Sequence, residues 1–209
     1  NRDTSSLMLR EIQAVEVKPI EPVFVDFDKD LTKLKAKSDT EMLYTQNKTN
    51  GLFTLNYVYE TGANNDKAMR TAFNYLQYLG TSDMTPEQVQ MEFYKLACSF
   101  WVSPGDERSY LALNGLSENM EAAMELLEKL IADAQPNPEA LENMKADILK
   151  SRADSKLDQN ANFSMLRNYA FYGPKSPATN ILSEQELAAL TPEDLISRIH
   201  SLGQMQHRI

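Results

Sequence analysis

Two histidines, His200 and His207, are the side chains of this 209-residue chain that are best suited to bind a metal or to act as a general base. His200 falls near the end of a predicted helix, and His207 follows the helix-stopping Gly203. They therefore cannot form a pair of ligands one helical turn apart, and a zinc site would need further ligands from carboxylates elsewhere in the chain. The spacing favours a structural or surface role for both histidines, and we assign no metal ligand.

Other residues capable of chemistry also lack a supporting pattern. Cys98 is the only cysteine, which excludes an internal disulfide and a multi-cysteine metal site, and its apolar neighbours indicate a buried packing role. Acidic pairs such as Glu121 and Glu125 fall on the predicted solvent side of a helix. The sequence contains no Gly-x-Ser-x-Gly elbow and no Gly-x-Gly-x-x-Gly phosphate loop. We therefore assign no catalytic and no cofactor-binding residue.

Charge and hydropathy exclude two classes of partner. A formal net charge of -9 and a pI near 4.8 leave no basic stripe that would neutralise phosphates, so we expect no nucleic acid or anionic membrane partner. No apolar run reaches the roughly 18–20 residues that span a bilayer, so we expect a soluble protein without a membrane span. The chain begins Asn1-Arg2-Asp3 without an initiator Met, and we expect a fragment of a longer protein. The compartment stays open at this stage, with a periplasmic or extracytoplasmic location among the options.

The first firm elements are a strand and a helix. Phe53 to Tyr59 alternates apolar and polar residues, which predicts a half-buried strand. From Met69 to Leu79 apolar residues recur at helical spacing, and Gly80 ends the pattern. Residues 1–40 carry weaker signals, and we interpret them as a linker with an edge strand around the weakly alternating Val23 to Phe27.

Further elements follow in an order typical of an α+β fold. Thr85-Pro86-Glu87-Gln88 predicts a capped helix start, and Ser103-Pro104-Gly105-Asp106 predicts the turn of an antiparallel hairpin. After the hairpin, the patterns predict helices over residues 120–134, from 137 to about 153, from Ser183, and from Thr191 to Leu202. Helices gathered after strands favour α+β over a regular βαβ alternation.

The segment Thr71-Ala72-Phe73-Asn74-Tyr75-Leu76-Gln77-Tyr78-Leu79-Gly80-Thr81 resembles the zinc helix of M16 (insulinase/pitrilysin-like) peptidases. Active members of that family carry His-x-x-Glu-His shortly before a Gly-Thr. Alignment on Gly80-Thr81 places Thr71 and Tyr75 at the two histidine positions and Asn74 at the position of the general base. The family's third ligand, a glutamate, falls near Met144, with Glu142 as the nearest acid.

The similarity covers residues 40–209 and implies an M16 peptidase-like fold, the class of LuxS and mitochondrial processing peptidase, with an antiparallel sheet packed with helices. With the linker and edge strand over 1–40, it implies an inactive domain over 41–209, and we expect this domain to be truncated at its C-terminal end. M16 peptidases pair two halves of related domains into a chamber, and this chain resembles the first domain of the second half.

On that basis the domain has no zinc, no cofactor and no catalytic residue of its own, because an amide at Asn74 cannot take the proton and Thr71 and Tyr75 do not replace imidazoles. We expect it to wall a peptide-enclosing chamber while another domain of a zinc metallopeptidase hydrolyses the peptide. Its expected partners are other M16 domains, in the same chain or in a partner subunit, and a peptide substrate. The alternative is an M16-like scaffold subunit without peptidase activity.

Overall fold

The computed structural model describes residues 6–36 and 40–209. Residues 1–5 and 37–39 of the predicted linker lie outside the described residues. The chain divides into two units, one that extends to Thr32 and one that runs from Lys33 to Ile209. By comparison, the sequence prediction placed the boundary between residues 40 and 41.

The first unit contains one helix that the sequence analysis did not predict. Helix α1 spans Leu7–Ala14 and begins at Ser6, whose hydroxyl accepts a hydrogen bond from the Leu9 amide at 3.2 Å. The predicted edge strand around Val23 to Phe27 is wrong, because the structure forms no strand there. Asp26 instead starts a turn in which its carbonyl accepts from the Lys29 amide at 3.0 Å.

In the part of the chain that the structure describes, six strands form one sheet in the order β1-β2-β6-β3-β5-β4. They are β1 (Thr32–Lys35), β2 (Glu41–Tyr44), β3 (Leu52–Tyr59), β4 (Cys98–Pro104), β5 (Ser109–Leu116) and β6 (His207–Arg208). Antiparallel pairing joins β3 to β5, β4 to β5 and β3 to β6. Strand β6 pairs in parallel with β2, so the sheet is mixed where we expected an antiparallel one. The last strand of the chain thereby sits in the middle of the sheet.

The structure describes seven α-helices in the second unit. They are α2 (Met69–Tyr75), α3 (Pro86–Lys95), α4 (Met120–Asp133), α5 (Pro138–Leu157), α6 (Gln159–Tyr172), α7 (Glu184–Ala189) and α8 (Pro192–Leu202). Of these, α2, α3 and α4 contact the sheet, and α8 packs on α2 and α4. The predicted alternation in β3 is confirmed: Leu55, Tyr57 and Tyr59 are buried, whereas Thr54 and Asn56 are exposed. These buried side chains join Phe73, Leu127, Ile199 and their neighbours in one hydrophobic core.

Three of the predicted helix starts have a capping box. Thr85 and Gln88 form a capping box at α3, Ser183 and Glu186 form one at α7, and Thr191 forms one with Asp194 at α8. Helix α2 is shorter than expected, since a 3-10 turn follows it from Leu76 to Tyr78. Helix α6 was not predicted at all.

Candidate functional site

The three positions that resemble the zinc motif lie on α2 and face the interior to different extents. Thr71 and Tyr75 are buried, and Asn74 is half-buried. Residues four apart share a face of a helix, so Thr71 and Tyr75 both pack against the core. This face of α2 presents a hydroxyl, a phenol and apolar groups.

Tyr75 is fixed by the start of another helix. Its hydroxyl donates to the Asn137 carbonyl at 2.7 Å and accepts from the Asn137 amide at 2.7 Å. Asn137 in turn caps α5, where its side chain accepts from the Ala140 amide. Burial disfavours the phenolate and raises the pKa of Tyr75. The neutral phenol of Tyr75 therefore links α2 to the start of α5 through hydrogen bonds.

The resemblance places the family's third ligand near Met144 and Glu142, which lie on α5. Met144 is half-buried against the main core. The Glu142 side chain is largely exposed and pairs with Lys145 at 2.9 Å. Lys145 is itself buried and donates to the Ala188 carbonyl at 3.2 Å. A half-buried thioether and a paired carboxylate thus lie near the position that the resemblance assigns to the third ligand.

Both histidines make contacts of a structural kind. In α8, the His200 Nε2 lies 3.2 Å from the Ala134 carbonyl. In β6, the His207 ring lies beside the rings of Tyr57 and Tyr59, with centroid separations of 5.7 and 5.1 Å. Within residues 6–36 and 40–209, no group of three or more His, Cys, Asp and Glu side chains is arranged to hold a metal ion.

Cys98 is buried, as predicted, and desolvation raises the pKa of its thiol.

The edge of the sheet at β4 is a second candidate site, because an edge strand can pair with an extended polypeptide. In the described sheet β4 is the terminal strand beyond β5, so its outer backbone groups are not paired by another strand. Ser99, Trp101 and Ser103 are exposed along it, while Phe100 packs against the core. The sequence analysis predicted the hairpin but did not identify β4 as the free edge, because that depends on the long-range pairing of β5 with β3.

A shallow groove lies at the start of this edge. It has a volume of about 610 Å³ and is lined by Met91, Tyr94, Lys95, Ala97, Cys98, Ser99 and Asn114. Met91 and Tyr94 project from α3 and are largely exposed. An extended backbone beside Cys98 and Ser99 would place one of its side chains next to this groove.

Comparisons with known proteins rest on structure alone, since no protein-family model and no curated protein sequence matches the chain. A peptidase M16 inactive domain from Pseudomonas fluorescens matches with a TM-score of 0.69 and 16% identity, over 81% of this chain and 42% of that one. The chain has the fold of an M16 peptidase domain. The predicted M16 resemblance and α+β class are thereby confirmed at the level of the fold.

Two longer proteins contain the same M16 fold. The periplasmic protease PqqL from Escherichia coli matches with a TM-score of 0.69 and 12% identity, over 90% of this chain and 21% of that one. A mutant of the ferredoxin protease FusC, in complex with Arabidopsis ferredoxin, matches with a TM-score of 0.72 and 12% identity. The match covers 93% of this chain and 23% of that one. The chain spans less than half of the length of each of these three structures. The described residues contain no helix that is long and apolar enough to cross a membrane.

Proposed function

We propose that this chain is a non-catalytic M16 domain that walls a peptide-enclosing chamber, while zinc-dependent hydrolysis takes place in another domain of the parent protein. The carrying observation is the M16 fold with its zinc-motif positions used for packing. Tyr75 lies at a histidine position, is buried and is bonded twice to Asn137. A metal ligand at that position would need a free lone pair directed at an open site.

The proposal places peptide along the edge strand β4. A terminal strand with unpaired amides and carbonyls can accept an extended peptide as an additional strand, and the backbone hydrogen bonds then supply affinity without sequence selectivity. The groove beside Met91 and Tyr94 provides an apolar site for one peptide side chain. The opposite end of the sheet is less suitable, because β1 carries Lys33 and Lys35, and lysines discourage strand addition.

Charge supports a preference among peptides. The chain carries 30 acidic against 21 basic residues, so its field attracts cationic segments. Lys95 at the groove is paired with Glu92 at 2.7 Å, which reduces its repulsion of a cationic peptide. The proposed substrate class is therefore an extended peptide with basic residues and at least one apolar side chain.

Hydrogen exchange tests this edge directly. The probe is a short peptide of alternating threonine and valine with a lysine at each end, added to the purified chain, and backbone amide exchange is followed by NMR. We expect slower exchange at alternate residues of β4, because only every second amide of a strand faces the added neighbour. Amides of β5, which is paired on both sides, are expected to stay unchanged.

An N-methylated version of the same peptide is the matched control. Methylation at alternate residues removes the donors, at about 0.5–1.5 kcal/mol for each lost hydrogen bond, and is expected to abolish the protection. Equal protection by both peptides, or protection that avoids β4, would refute strand addition at this edge.

The second candidate is an M16-like scaffold subunit without peptidase activity. It is favoured by the exposed aromatic residues of α6, which suit a protein contact better than a chamber wall. An intact His-x-x-Glu-His motif in the parent protein or in its partner subunit supports the first function, and its absence from both supports the second. For the parent protein of the first proposal, the structural match to the periplasmic protease PqqL favours a periplasmic location, and the FusC complex favours a protein substrate.

A further inference from the structure

The tripeptide Asn-Gly-Leu occurs twice in the chain, as Asn50-Gly51-Leu52 and as Asn114-Gly115-Leu116. Asparagine is a thermolabile residue, because the backbone amide of the next residue can attack its side-chain carbonyl carbon. Glycine in the next position favours this reaction, since it has no Cβ and restricts the backbone least. The intrinsic chemistry of the two copies is therefore the same, and the structure decides which of them reacts.

The first copy lies at the exposed start of β3. Asn50 and Gly51 are both exposed, and the ladder between β3 and β5 begins only at the pair of Leu52 and Leu116. The Gly51 amide is thus outside the ladder, and a Cβ added to Gly51 would meet no atom within 4 Å. Solvent therefore reaches this amide, and the backbone has room to change conformation there.

The Asn50 side chain is held in a position that favours ring closure. Its Oδ1 accepts from the Leu52 amide at 3.1 Å, and this hydrogen bond closes a ring that contains the Gly51 amide. The side chain is therefore folded over the nitrogen that would attack it. Oδ1 also accepts from Asn47 Nδ2 at 2.8 Å. The two donors withdraw electrons from the side-chain carbonyl carbon and stabilise the negative charge that develops on Oδ1 during attack.

The second copy is held inside the sheet. Asn114 pairs with Thr54 on one side and with Ser99 on the other, and Gly115 continues both ladders. The Ser99 hydroxyl also donates to Asn114 Oδ1 at 3.1 Å. Ring closure needs a rotation of the backbone away from the extended conformation, so Asn114 can react only after β5 separates from its neighbours. Such openings of a central strand require a large part of the unfolding free energy and are rare.

We propose that Asn50-Gly51 is a site of spontaneous covalent modification, at which Asn50 deamidates through a succinimide, and that the sheet protects Asn114-Gly115. The Gly51 nitrogen gives up its proton to solvent base and forms a bond to Asn50 Cγ. The bond from Cγ to the side-chain nitrogen breaks, and this nitrogen leaves as ammonia with a proton taken from water. Water then opens the ring at either carbonyl, which yields aspartate or isoaspartate at position 50. This inference does not depend on the peptide-holding role of β4.

The isoaspartyl product alters the start of the sheet. It carries one extra methylene group in the main chain and a new carboxylate, both immediately before Gly51. The Gly51 carbonyl accepts from the Ser117 amide at 2.8 Å, next to the first ladder pair, so the longer backbone disturbs this hydrogen bond. Because the site is exposed, the modified chain has the chemistry that a protein-isoaspartate methyltransferase recognises.

Incubation of the folded chain followed by mass spectrometry tests the proposal. The purified chain is kept at neutral or mildly alkaline pH and digested with pepsin at low pH, and the deamidated and isoaspartyl forms of both sites are quantified. We expect Asn50 to react more than about a hundredfold faster than Asn114, since only Asn114 needs an opening of the sheet. The rate at Asn50 is expected to rise with pH. In urea the two sites should react at similar rates, because they share the sequence Asn-Gly-Leu.

Two variants separate the contributions of Gly51 and Asn47. Gly51→Ala has room for its Cβ and is expected to slow the reaction at Asn50 about tenfold or more, because the Cβ hinders the attacking amide. Asn47→Asp keeps an acceptor for the Thr49 amide, which Asn47 Oδ1 binds at 2.9 Å, but its carboxylate cannot donate to Asn50 Oδ1. A slower reaction at Asn50 is therefore expected in this variant as well, and Asn114 should be unaffected in both.

Three results would overturn the proposal. These are a rate at Asn50 no higher than at Asn114 in the folded chain, a rate at Asn50 that Gly51→Ala leaves unchanged, and deamidation of Asn50 without any succinimide or isoaspartyl product. An unchanged or faster reaction in Asn47→Asp would refute the activating role of Asn47. Loss of peptide protection at β4 would overturn the proposed function and leave this modification site intact.

Discussion

Removing one hydroxyl from α2 tests whether the zinc-motif position has become a structural contact. In Tyr75→Phe the ring stays in the core, but the Asn137 amide loses the partner it has at 2.7 Å. The Asn137 carbonyl keeps a second bond, from the Leu141 amide at 3.1 Å. One half-buried donor is thus left unpaired and one acceptor is weakened, which costs about 1–2 kcal/mol of unfolding free energy. For a domain of this size that corresponds to a fall in Tm of roughly 2–8 °C.

Urea unfolding followed by the fluorescence of Trp101, the single tryptophan, measures this loss. The slope of the free energy against urea is expected to stay constant, because the mutation leaves the exposed surface of the unfolded chain unchanged. Tyr78→Phe is the matched control, since Tyr78 is half exposed, and its effect should lie within about 0.5 kcal/mol. Equal losses in the two variants would refute the role assigned to the Tyr75 hydroxyl.

Three further predictions concern stability. Gly115→Ala is expected to cost about 1–3 kcal/mol in urea unfolding, because a Cβ there would overlap the Cys98 sulfur. Gly51→Ala meets no atom within 4 Å and serves as its control; similar costs would contradict the packing argument. Thr85→Ala should cost about 1 kcal/mol through loss of the α3 capping box, whereas a loss below a few tenths would show that the cap contributes little. Finally, burial raises the pKa values of Tyr57 and Tyr59 above their ordinary 10.0, so the folded state retains these protons longer. Stability should then fall as pH rises above about 10, and ultraviolet titration should show ionisation together with unfolding; normal titration of all nine tyrosines in the folded chain would contradict this.

Elements with a local signal were predictable from the sequence. The Thr85-Pro86 start of α3 and the hairpin of β4 and β5 can be predicted from capping chemistry, turn residues and periodicity, and both are present in the structure. Strand order was not predictable in this way. It depends on β6 pairing with β2 and β3 across more than a hundred residues, which no local pattern encodes.

Helix α6 shows why periodicity can miss an element. Sequence analysis identifies a helix by an apolar stripe that faces the core, and α6 directs Ala161, Ser164 and Asn168 inward instead. In the candidate site, Thr71, Asn74 and Tyr75 could be identified from the resemblance alone as the residues at the zinc-motif positions. That Tyr75 bonds to Asn137 could not, because the two residues are 62 positions apart. The free edge at β4 likewise required the complete sheet.

The most direct test of the central claim is the zinc content of the purified chain after dialysis, measured by elemental analysis together with peptide cleavage in the presence and absence of a chelator. Because packing residues occupy the zinc-motif positions, we predict no stoichiometric zinc and no chelator-sensitive cleavage. Stoichiometric zinc with cleavage that a chelator abolishes would contradict the account, because a catalytic site would then exist that Thr71, Asn74 and Tyr75 cannot form.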